Sequence, residues 1–225
     1  MIFARHYSKA VPKPVRVGQA QRRAATRERI VVAGNRLFES KGYDDTSISD
    51  ISAAAGVAMR TIYLHFDSKA AILLAYFDDW LDEYVAAVCA GPVDENIDDA
   101  MIRSFGTLDL RGQIDNRRFD EMGAQHPSLA ILLSSNLDIT GHVLRSWVAA
   151  QDVLTEHFRR SLRLPVDSVV ARARAAAIFA TWMATLLAYR DEREGRLESS
   201  GPLHEVAISL IRLYGAGLNG ADETG

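Results

Sequence analysis

Apolar residues recur every three to four positions along almost the whole chain, and no alternating apolar–polar run recurs. That is the period of one face of an α-helix, so the pattern predicts an all-α protein. The first stripe is Ile30, Ala33, Gly34, Leu37 and Phe38. It predicts a helix from the segment QAQRRAATRERI to about Lys41, ended by Gly42. Tyr43, Asp44 and Asp45 form the turn that follows. Ser47 then caps a short helix, with Asp50 as its capping-box partner and Ile51, Ala54 and Ala55 as its apolar face. Gly56 stands where the chain must stop and turn, because glycine tolerates positive φ. Val57 is the apolar residue of that turn. A second short helix is expected from about Met59 to His65, with Ile62 inward and Arg60, Thr61, Tyr63 and His65 mostly outward. Helix, glycine turn and helix of these lengths form the helix-turn-helix unit, whose second helix enters the DNA major groove.

The stripes continue beyond this motif. Ile72, Leu73, Phe77, Trp80, Leu81, Tyr84, Val85 and Val88 predict one helix from Ser68 to Ala90, stopped by Gly91 and Pro92. Such a rod is about 34 Å long, enough to link two domains. Further helices are expected over 96–108 and 115–125, the first carrying Ile97, Met101 and Phe105. A long one follows Pro127, with Leu129, Leu132, Leu133, Leu137, Val143, Leu144, Trp147, Leu154 and Phe158 on one side. Pro165 opens another, ended by Gly195, and Gly201–Pro202 opens the last. The expected domains are a flexible basic arm (1–22), a three-helix helix-turn-helix domain (23–69) and a C-terminal helical domain (70–225).

Charge sharpens this division. Residues 1–69 carry 12 Lys+Arg against 6 Asp+Glu, a balance of +6, and the remainder carries 14 against 23, a balance of −9. A basic N-terminal third on an acidic body fits a DNA reader joined to something that should not touch DNA. The arm could track phosphates or a minor groove; simple disorder is the competing reading. Cys89 is the single cysteine, so an internal disulfide is excluded. The start lacks the continuous apolar core of a signal peptide. The longest nearly apolar run, Ala175 to Tyr189, lies between Arg174 and Arg190. It is shorter than the roughly 20 residues that span a bilayer. The expectation is a cytoplasmic protein with no membrane segment.

The segments FESKGYDDTSISDI and TIYLHFDSKAAILL flank and include the motif. With Leu37, Phe38, Gly42, Tyr43, Gly56, Tyr63, Phe66 and Lys69 they closely resemble the DNA-binding domain of the tetracycline-repressor (TetR) family, over roughly residues 25 to 75. The resemblance implies that Met59, Arg60 and Thr61 read bases. Arginine can pair bidentately with guanine, and threonine can meet a base edge or a thymine methyl. It implies that Tyr63, His65 and Lys69 meet phosphates, with Ser47 and Ser49 near the backbone. The sequence departs from the family at Ala58, Met59, Arg60 and Leu64. A polar cap is missing at Ala58, and no operator sequence can be borrowed from a relative.

The family further implies a C-terminal ligand pocket and a dimer interface. Candidate pocket residues are Phe105, His126, Asn136, Trp147, Phe179, Trp182 and Met183; each could equally be plain core. A faint similarity to members with acyl-CoA-type ligands lies around PSLAILL and SWVAAQDVLTEHFRRSL. Small residues at helical spacing, Ala173, Ala176, Ala177, Ala180 and Ala184, permit close helix approach. With Val206, Leu210 and Leu213 of the last helix they give a four-helix homodimer interface. A twofold dimer and a near-palindromic double-stranded DNA operator go together.

The expected function is a ligand-responsive transcriptional regulator, a repressor released from its operator by an apolar or amphipathic effector. The alternative is a ligand-independent DNA-binding protein controlled by a protein partner. An enzyme is not expected. The six histidines match no metal-ligand spacing, and no nucleophile elbow or phosphate loop occurs. No cofactor or metal is called for.

Overall fold

A computed structural model describes residues 17–92, 95–110, 136–193, 195–198, 205–206 and 208–213. Every described element is helical. The chain divides into two compact units, Met1–Ile72 and Leu73–Gly225, three residues beyond the expected boundary.

In the first unit α1 (Val17–Lys41) buries Ile30, Val31 and Phe38. It begins inside the segment expected to be a flexible arm; residues 1–16 lie outside the described ones. A Cβ built on Gly34 would stand 2.7 Å from Ile72 Cγ2, so the missing side chain lets α1 lie close against the later segment. The next helix is α2 (Ile48–Ala55). Its capping box forms as expected: Ser47 Oγ accepts from the Asp50 N–H at 3.1 Å, and Asp50 Oδ2 accepts from the Ser47 N–H at 3.0 Å. Gly56 ends α2 at φ 63°. Its N–H donates to Ala53 O and that of Val57 to Ser52 O, the two bonds of a Schellman turn.

The expected face of α2 needs one correction. Ala54 is exposed, and Ser52 is buried in its stead. The Ser52 hydroxyl donates to Val57 O at 2.6 Å, which satisfies it and staples the turn. Helix α3 (Met59–Tyr63) stops two residues short of the expected end. The chain then tightens, with His65 N–H and Phe66 N–H both donating to Ile62 O at 2.9 Å.

The single rod expected from Ser68 to Ala90 is two helices, α4 (Lys69–Leu73) and α5 (Ala75–Cys89), with Leu74 between them at φ −94°, ψ 11°. All six residues from Ala70 to Ala75 are buried. Six consecutive positions take a straight helix through more than one and a half turns, so one of them would have to face outward. The interruption at Leu74 lets every one of them stay inside.

The second unit is built from α5, α6 (Ile97–Leu110), α7 (Leu137–Ser161) and α8 (Val169–Arg193), with residues 208–213 also helical. α7 packs against α8 and α5, and α5 against α6. The buried stripe of α7 is Ile139, Val143, Trp147, Ala150, Leu154 and Phe158. Leu137 and Leu144, expected inside, are 85% and 61% exposed. A polar clasp joins α5 to α7. Asp78 Oδ2 lies 2.7 Å from His142 Nε2, and Asp78 Oδ1 accepts from the Ser146 hydroxyl at 2.9 Å.

α8 starts four residues after Pro165 and ends at Arg193, just before Gly195, close to the expected bounds. Residues Val169–Glu192 are long and apolar enough to cross a bilayer by length and composition. Its face Ala171, Ala175, Ile178, Phe179, Trp182 and Leu186 is nevertheless buried within the unit, and Arg172 pairs with Asp152 of α7 at 2.7 Å. Burial on one face and a charge on the other describe a helix of a bundle.

Candidate nucleic-acid interface

Helix α3 has five residues and no side-chain cap at Ala58. A helix this short has no stability of its own in water. Ile62, fully buried, anchors it. With Ile62 inward, Met59, Arg60 and Tyr63 are exposed and Thr61 is half-exposed. The three expected base readers therefore stand together at the N-terminal end of the helix. Arg60 is the one cation among them, and its side chain is solvent-accessible.

The expected phosphate contacts separate into two kinds. Tyr63 is exposed at the far end of α3, and Ser49 is exposed on the first turn of α2. Ser47 is exposed as well, but its hydroxyl is occupied by the cap of α2. Lys69 is placed differently from the expectation. Its ammonium donates to the carbonyl oxygens of Tyr43 at 2.6 Å and Thr46 at 3.0 Å, and it lies 4.1 Å from the centre of the Tyr43 ring. It clamps the turn between α1 and α2, and its charge neutralises carbonyl dipoles there. Sequence alone could not show this, because a lysine after a helix-turn-helix looks the same in either role.

His65 is half-buried beside Phe66, with ring centres 6.4 Å apart. Burial, then the charges of Arg23 and Arg27, hold its imidazole below the ordinary 6.5. The Arg27 guanidinium sits over the Phe66 ring at 5.4 Å. Neither arginine was singled out from the sequence. Both lie on α1, and only the tertiary packing brings α1 to the end of α3.

Residues 30–76 match the family described as bacterial regulatory proteins, tetR family. These residues are a TetR-family DNA-binding domain. The chain is 33% identical over 128 residues to MftR of Mycobacterium tuberculosis, covering 53% of this chain and 61% of that one. The chain thus spans under two thirds of the length of that curated relative. Among solved structures, the TetR-family repressor AlkX of Dietzia sp. is 18% identical over 86% of this chain and 95% of its own, with a TM-score of 0.50. A SmeT–triclosan complex is 20% identical over 86% of this chain and 91% of its own, also at 0.50. At such identities the structures show the fold: the TetR arrangement of an N-terminal helix-turn-helix domain and a C-terminal helical domain.

In the C-terminal domain, the expected pocket residues divide. Trp147, Phe179 and Trp182 are buried and come together across α7 and α8, with the Trp147 and Phe179 rings 5.9 Å apart. Trp182 meets Trp80 edge-on at 4.9 Å and Tyr84 at 5.5 Å. Trp80 and Tyr84, on the apolar stripe of the expected rod, share the cluster. Tyr84 is fully buried, which pushes its hydroxyl pKa well up. Trp80 Nε1 is buried with no hydrogen-bond partner among the described residues. Met183 is half-buried. Asn136 does other work: its side chain caps α7, accepting from the Asp138 N–H at 3.0 Å. His126 and the side chain of Phe105 lie outside what is described. A groove of about 420 Å³ lies instead in the first unit, lined by residues of α1 and α2 such as Glu28, Arg36 and Leu37.

The expected interface residues occupy the other side of α8. Ala173 and Ala180 are exposed, and Ala176, Ala177 and Ala184 are half-exposed. On the last helix Leu213 is 70% exposed, Val206 and Leu210 are half-exposed, and Ile211 is the buried residue.

Proposed function

We propose that this TetR-family protein is a homodimeric repressor that reads a near-palindromic operator through Met59, Arg60 and Thr61. The observation that carries the reading is the burial of Ile62 alone in α3, which leaves the base-reading side chains on one accessible end. Ala173, Ala176, Ala177, Ala180 and Ala184 support the dimer, as a stripe of small residues left accessible on a helix whose opposite face is buried. Two half-sites one helical turn apart, about 34–36 Å, require two such readers.

The effector is apolar or amphipathic, with an acyl-CoA-like molecule as one member of that class. The aromatic cluster of Trp80, Tyr84, Trp147, Phe179 and Trp182 supplies apolar surface, and the unpartnered Trp80 Nε1 supplies a donor for a polar group. The SmeT–triclosan complex supports a small aromatic ligand as a further probe. The ring-on-ring packing of the same cluster is also what partner control without a ligand expects.

The test has two arms. Selection of binding sites from a random duplex library with the full-length protein should return a palindrome. Titration of lauroyl-CoA or triclosan against free and operator-bound protein should then give different affinities. By reciprocity, a ligand that lowers operator affinity is itself bound more weakly by the operator complex, by the same factor. Equal affinities in the two titrations would leave partner control as the better reading.

A further inference from the structure

We propose that Arg23 and Arg27 of α1 and the imidazole of His65 seat one phosphate of the DNA backbone, and that His65 takes up a proton as this phosphate docks. The proposal rests on the DNA-binding reading above and adds a second contact surface and a pH dependence to it. Arg23 and Arg27 are one helical turn apart, so they share a face of α1. The Arg27 guanidinium is fixed over Phe66 at 5.4 Å, and the Phe66 ring lies 6.4 Å from that of His65. Arg23 is exposed and has no ion-pair partner among the described residues. Three nitrogen-bearing groups, two from α1 and one from the turn after α3, therefore converge beyond the C-terminal end of the recognition helix, opposite its base-reading end.

The charges facing His65 from α1 are those of Arg23 and Arg27, and both oppose its protonation. On its own segment the nearest ionisable residues are Tyr63 and Asp67, both exposed. The Lys69 ammonium is held at the Tyr43 carbonyl. Without DNA, burial and the two guanidiniums disfavour the charged form of His65. A phosphate placed among the three supplies the negative charge that reverses this balance, and the protonated ring donates a charge-assisted hydrogen bond to it. The histidine then binds more protons in the complex than in the unbound protein. By linkage, affinity rises as pH falls through the window between its two pKa values.

The probe is a duplex recovered by selection from a random library with the full-length protein at pH 7.5. Its affinity should rise several-fold per DNA-binding domain between pH 8 and pH 6, because the bound imidazole holds its proton to higher pH than the unbound one. His65→Gln should flatten this rise while the protein keeps its thermal unfolding profile. Arg23→Gln, at an exposed position, should reduce the slope of log affinity against log salt by about 0.9 at an unchanged base preference. A pH profile equally steep in wild type and His65→Gln would overturn the proton step. An unchanged salt slope in Arg23→Gln would overturn the seat. Failure of the folded wild type to bind any duplex at any pH would overturn the DNA-binding reading itself, and this proposal with it.

Discussion

The Lys69 ammonium donates to the Tyr43 carbonyl at 2.6 Å and lies 4.1 Å from the centre of the ring of the same residue. One side chain thus holds both the backbone and the aromatic plane of a residue 26 positions earlier. Hydrogen bonds to a charged group contribute about 1.5–3 kcal/mol each, and their loss takes the ammonium away from two part-buried carbonyls. Lys69→Met should destabilise the protein by about 2–3 kcal/mol, measured by urea unfolding. The salt dependence of DNA binding should stay that of the wild type. A reduced salt slope at unaltered stability would return Lys69 to the phosphate contacts.

The α2 cap is predicted to fail in acid. The Asp50 carboxyl is held at about 2, below its ordinary 3.8, first by the hydrogen bond from Lys41 and then by the backbone and side chain of Ser47. A depressed pKa in the folded state stabilises the fold above pH 4, and that contribution is lost as pH falls through about 2. Asp50→Asn should therefore be less stable than wild type at neutral pH. The gap between them should close by pH 2, followed as thermal midpoints across the range.

Arg60 and Tyr63 should differ in what their loss does. Arg60→Ala should cost about 1–3 kcal/mol at one operator position per half-site and relax base preference there. Tyr63→Phe should weaken all sequences about equally, because phosphate contacts position without specifying. Repeating the selection with each variant checks both. An unchanged consensus for Arg60→Ala would remove Arg60 from the readers.

Ala180 is exposed on α8. A charge there meets water in the monomer, so Ala180→Glu should leave each chain folded. In a dimer joined along this stripe it would bury a carboxylate, so the variant should sediment as a monomer and lose tight operator binding. An intact dimer in sedimentation would move the interface elsewhere.

The helix-turn-helix was legible because its signals are local. Ser47 with Asp50, Gly56 at positive φ and Ile62 alone between polar neighbours each act within a few residues of their position. Features set by distant parts of the chain were not. Ser52 has the composition of a surface residue, and only the Val57 carbonyl beside it makes burial acceptable. The face of α7 depends on where α5 and α8 lie, so Ile139 could not be chosen over Leu137 from spacing alone. Two signals were present and passed over. Ala70–Ala75 is too long an apolar run for a straight amphipathic helix, and Asn136 has the position of a helix cap. The cluster of Arg23, Arg27 and His65 joins residues some 40 positions apart and is visible only once α1 is folded back.

The five-residue α3 draws its position from Ile62 and from the Ser52–Val57 staple behind it. The side chains of Met59, Arg60 and Tyr63 are exposed and lie outside the core. Replacing them leaves the core untouched, so on the proposed reading a lineage of such proteins can drift from one operator to another without passing through unfolded intermediates. The uncapped start at Ala58 adds to this liberty, since no side-chain bond there restricts which residue comes next. On the proposed reading, DNA preference in this chain is inherited separately from the fold that presents it.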